Sequence, residues 1–123
     1  MERKLSEYVS LSKTIDITKF SKKIKVGILS SFTINGLDET LTVKCSELDI
    51  ECKSYVAGYN QYNQEILDPK SNLYLSSPDI TFLIIDVRTL LNEIFHHPYS
   101  ISSSERKKIV KEKINELRNL ILQ

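Results

Sequence analysis

Apolar positions follow two alternating rhythms along this chain. From Ile24 to Ser30 the run IKVGILS is almost continuously apolar, as expected of a strand covered on both faces, and it predicts a first strand. Leu37, Leu41, Cys45 and Leu48 then recur every three or four residues. That spacing lines one face of a helix, with Asn35 or Asp38 placed to cap its start. The next segment, IECKSYVA, alternates Ile50, Cys52, Ser54 and Val56 against Glu51, Lys53 and Tyr55. A period of two predicts a second strand with one wetter face, near a sheet edge. A long connection follows, with turn chemistry at Asp68-Pro69 and Ser77-Pro78 and a short helix from Gln61 to Leu67 between the second strand and the first of these turns. ITFLIID, Ile80 to Asp86, is the most apolar run of all and predicts a central parallel strand. Ser102 and Glu105 form a capping box, and Val110, Ile114, Leu117 and Ile121 line one face of a terminal helix of about 17 residues. Residues 1–23 read as a partly irregular lead-in and residues 24–123 as a single α/β domain.

Strands separated by helices require crossover connections. These observations predict a three-layer, Rossmann-like or flavodoxin-like fold: a parallel sheet with helices on both faces. Ligands of such sheets sit beyond the carboxyl ends of the strands. There the loop after the first strand brings Ser30, Ser31 and Thr33, and the loop after the third brings Asp86, Arg88 and Thr89. Gly58 and Asn60 follow the second strand and join them.

Composition narrows the partners. The chain of 123 residues carries 17 Lys plus Arg against 16 Asp plus Glu, so no excess charge draws it to nucleic acid or an anionic membrane. Its apolar runs fall far short of the ~20 residues that cross a bilayer, and the opening MERKLSEYVS is too polar for a signal peptide. A cytoplasmic location is expected. Cys45 and Cys52 lack a CxxC spacing and read as small apolar residues rather than a bridge. Neighbouring His96 and His97 diverge by about 100° on a helix, which makes a poor metal pair, so no metal site is expected.

The strings KVGILSSFT and GYNQYNQEILDPKSNLYLSSPDITFLIID resemble the amino-terminal domain of FkbH-like proteins, with its YNQY, E-I-L-D-P, S-x-L-Y and P-D pattern. The resemblance spans residues 24–86. It implies an SGNH-hydrolase-like fold preceding a magnesium-dependent catalytic domain of haloacid-dehalogenase type. It further implies a role in loading a glyceryl unit onto an acyl carrier protein, in polyketide or polysaccharide biosynthesis. A haloacid-dehalogenase core needs D-x-D-x-T, one Asp attacking phosphorus while the second handles protons. Here IIDVRT places Arg88 at the second acid, so that domain is absent, magnesium is expected only for it, and the chain reads as a fragment of a longer protein. Carried over from SGNH hydrolases, the G-D-S-x-T block falls on residues 29–33, with Ser31 at the nucleophile and Thr33 at the threonine. Gly58 takes the second block's glycine, and the third block's asparagine is replaced by Arg88. No D-x-x-H supplies a base, and a serine without one is a weak nucleophile.

Structural roles compete for the same residues. Ser30 and Ser31 can satisfy turn amides, Asp86 can cap a helix starting at Val87 or pair with Arg88, and Tyr59, Asn60, Tyr62 and Asn63 can either bind a ligand through their amides and phenols or tie down their own loop. Two functional classes follow. One is a non-catalytic domain, with Ser30, Thr33, Gly58, Asn60, Asp86 and Arg88 binding a ligand, that engages substrate, an acyl carrier protein or a downstream catalytic domain. The other is a serine esterase or acyltransferase using Ser31. An open sheet edge would also permit self-association.

Overall fold

The structure, a computed structural model, describes residues 2–16 and 19–123. Three strands, β1 (Lys22–Ser30), β2 (Ile50–Val56) and β3 (Ile80–Ile84), form one sheet in the order β2-β1-β3. Both pairings are parallel, with Lys22 opposite Ile50 on one side of β1 and Val26 opposite Ile80 on the other. The predicted α/β fold with neighbouring first and third strands is therefore present.

Ahead of the sheet runs α1 (Leu5–Ser12), and between the strands run α2 (Leu37–Ser46) and the short α3 (Tyr62–Leu67) and α4 (Asn72–Ser76). After β3 come α5 (Val87–Leu91), α6 (Glu93–His96), a 3-10 turn at Pro98–Ser100 and the long α7 (Ser103–Ile121). Because β1 lies between the other two strands, Val26 to Ser30 are buried without interruption. Its pleat divides the core. Val26, Ile28 and Cys52 face α2 through Leu37, Leu41 and Cys45, while Leu29 faces Tyr62, Leu73 and Leu120 from α3, α4 and α7. Gly27 sits on the second face because a Cβ there would lie 2.9 Å from Leu73 Cδ1.

Four local expectations are corrected. ITFLIID is not central among the described residues: β3 pairs with β1 alone, and Ile80 and Phe82 stay 45% and 43% exposed. Strong apolarity marked burial on one face, not a place between two strands. Neither Asn35 nor Asp38 caps α2; Gly36 does, at φ 83°, a left-handed backbone that costs other residues a Cβ clash. Leu48 lies beyond the end of α2 and is 70% exposed. On α7 the capping box of Ser102 and Glu105 is present, yet Val110, Ile114 and Ile121 are exposed and Leu120 is the buried residue. The face is turned by about one residue from the predicted one. Within the lead-in, α1 packs on α2: Tyr8 lies 5.7 Å from Lys44 Nζ and 5.9 Å from the Arg3 guanidinium.

Candidate functional site

The three loops that leave the carboxyl end of the sheet are tied to one another by hydrogen bonds. Ser30 ends β1 with its Oγ turned back on Phe32, 2.6 Å from the carbonyl and 3.0 Å from the amide. Its own carbonyl accepts from the Asn60 amide at 3.2 Å, which joins the first loop to the second. Ser31 joins the first to the third: its amide donates to Ile84 O at 3.1 Å, and its Oγ accepts from the Asp86 amide at 2.8 Å. Ser31 has no exposed surface at all. A hydroxyl so placed fills an orphan backbone donor and offers no line of attack to a substrate.

Asp86 takes two of the roles foreseen for it. One carboxylate oxygen caps α5 by accepting from the Arg88 amide at 2.9 Å, and the Arg88 side chain returns to the same carboxylate, Nη2 to Oδ2 at 3.0 Å. The guanidinium and the amide hold the Asp86 carboxyl below its ordinary range, and the carboxylate in turn raises Arg88. Arg88 nevertheless keeps 65% of its side chain exposed.

Thr33 and Gly58 are exposed, and the Gly58 carbonyl accepts the Gln61 amide of a tight turn at 3.3 Å. Asn60 stands at φ 52°, a left-handed position that asparagine tolerates. It lines a polar cavity of about 200 Å³ with Tyr62, Asn63, Thr89 and the Lys113 and Glu116 of α7. Ser31 and Arg88 are outside that lining. The structure thus brings Ser30, Ser31, Asn60, Asp86 and Arg88 into one hydrogen-bonded cluster, while the concavity itself opens beside it, toward α7. Thr89 was expected at this edge of the sheet and lines the cavity, whereas Lys113 and Glu116 were not singled out; a lysine on the half-buried side of the terminal helix was the available signal.

The motif residues between β2 and β3 turn out to brace one another. Glu65 is buried, its carboxylate accepting the Tyr55 hydroxyl at 2.7 Å and the Leu73 amide at 3.0 Å. Burial first and the Glu65 carboxylate second push the Tyr55 phenol up to about 12. Ser71 Oγ donates to Glu65 O, Tyr74 Oη to Ile66 O, and the Lys70 amide to Asp68 Oδ1. Among the described residues no group of three His, Cys, Asp or Glu could hold a metal ion, and no helix is long and apolar enough to cross a membrane. His96 and His97 are exposed, and the hydrogen-bond partner of the Ser31 hydroxyl is the Asp86 amide rather than either imidazole.

No protein-family profile and no curated protein matches the chain. Among solved structures it is similar to the N-terminal part of the protein BF1531 from Bacteroides fragilis, which contains a phosphatase domain and was crystallised with magnesium. The two share 23% identity at a TM-score of 0.76, over 97% of this chain and 30% of that one. The chain therefore spans about a third of that crystallised N-terminal part and shares its fold there.

Proposed function

We propose that this chain is the amino-terminal, SGNH-hydrolase-like domain of an FkbH-like protein, and that it binds rather than transforms. Its work is to engage the substrate, an acyl carrier protein or a magnesium-dependent phosphatase-type domain, and so assist glyceryl or acyl transfer in the cytoplasm. The observation that carries this reading is the likeness of nearly the whole chain to one part of a protein that also contains a phosphatase domain. The cluster of Ser30, Ser31, Asn60, Asp86 and Arg88 supports the non-catalytic half of it. A buried serine that accepts from a backbone amide and has no base hydrogen-bonded to it among the described residues differs from a nucleophile in both respects. The esterase or acyltransferase alternative through Ser31 would require the β1 and β3 loops to part.

Ligand recognition falls to Arg88, whose guanidinium is held by Asp86 through Nε and Nη2 but stays largely exposed and keeps Nη1 donors for a phosphate or carboxylate, with Thr33, Gly58 and Asn60 on the neighbouring loops. Calorimetric titration of glycerate phosphates and phosphopantetheine tests the proposal. Binding at millimolar or lower concentration, lost in Arg88→Ala, is the expected result. Absence of binding to wild type, or binding indifferent to Arg88→Ala, would remove the ligand-binding role.

A further inference from the structure

The opposite, amino-terminal end of the sheet carries a charge arrangement that the fold does not need. On the face covered by α4, Lys23 of β1 lies opposite Glu51 of β2 and pairs with it at 3.6 Å. Two residues on, Lys25 lies opposite Lys53. Directly opposed like charges on neighbouring strands repel, and sheets ordinarily place opposite charges there. Neither ammonium has an acid within ion-pair distance among the described residues: Glu51 is taken by Lys23, and the Asp79 carboxylate accepts the Lys25 main-chain amide at 2.8 Å instead. Between the two lysines opens a cavity of about 370 Å³, walled by Tyr55 and Leu75 and edged by Val26, Ser54 and Ser76. That volume is of small-molecule size.

We propose that this cavity is an anion site for a small organic phosphate, whose charge is held between Lys25 and Lys53 and whose body rests on Tyr55 and Leu75. Burial first and the Glu65 carboxylate second keep the Tyr55 phenol protonated, so it adds no negative charge to the site. A dianion there turns the repelling pair into a clamp, and the site is independent of the carboxyl-end cluster and of the role assigned to it.

Amide NMR of the full chain titrated with phenyl phosphate, and with inorganic phosphate in a second arm, tests this. Shifts confined to the neighbourhood of Lys25, Lys53, Tyr55 and Ser76 are expected in both arms, with phenyl phosphate binding more tightly because of the apolar wall. Lys53→Glu makes the pair complementary and should bind about tenfold or more weakly, the loss of one charged contact. The same variant should melt at a higher temperature than wild type in low-salt buffer, which separates lost binding from lost folding. Shifts spread over the surface, an equal effect of chloride at matched ionic strength, or undiminished affinity in Lys53→Glu would overturn the proposal.

Discussion

Ser31 and Asp86 show what a single hydroxyl does in this molecule. The Ser31 Oγ is the acceptor for the Asp86 amide, and Ser31→Ala leaves that donor unsatisfied, a loss of about 1–3 kcal/mol. Urea denaturation of the variant should show a loss of that size with an unchanged slope. Wild type and variant alike should leave small acyl esters uncleaved; turnover that vanishes in Ser31→Ala would restore the serine as a nucleophile. Asp86 gives a pH signature. Its folded carboxyl is depressed by Arg88, so the interaction is fully present above the ordinary carboxylate value and is lost as pH falls through the lower folded value. Carboxyl NMR should place the Asp86 midpoint below 3.8 in wild type, and Arg88→Ala should move it upward. At this scale the residues of the site were legible from position alone, since parallel strands deliver their loops to one edge. What they do there was not, because burial of Ser31 depends on β3 closing over it, 55 residues away.

The elements repeat that division. The first crossover and the second strand could be read from periodicity, and β2 runs from Ile50 to Val56 as expected; the second crossover showed only its turns and the helix near Tyr62–Leu67, and α4 with its buried Leu73 was not foreseen. The start of α2 could not. A glycine in the left-handed region signals a helix start less clearly than Asn35 or Asp38 nearby, and the need for it arises from α1: a Cβ on Gly36 would meet the Leu5 side chain. Gly36→Ala therefore combines backbone strain with a collision and should cost about 1–2 kcal/mol or more by thermal unfolding. Truncating Leu5 as well should recover part of the loss. Similarly, the apolar positions of α7 identified a helix without fixing its rotation; Leu120 won the core because it meets Leu29 and Tyr62.

On the scale of the whole molecule the two sheet edges differ. β2 presents Glu51 and Lys53, charges of the kind that discourage further pairing, whereas β3 carries no charge from Ile80 to Ile84 and leaves Phe82 exposed. Self-association through β3 is the expected behaviour of the isolated chain, with two copies meeting about a two-fold axis. Sedimentation should show a mass that rises with concentration in wild type and stays monomeric in Phe82→Lys; a wild type monomeric at every concentration would exclude it.

The central place of β1 also governs how the chain can be made. During synthesis β1, α2 and β2 leave the ribosome as a local unit, but the second edge of β1 waits for residues that arrive more than fifty positions later. Until then Gly27 and Leu29 lack Leu73 and Leu83 above and beside them. The nascent chain thus passes through an interval in which its central strand is half-paired, the condition in which chaperones bind and in which a pause in translation before residue 80 does the most harm.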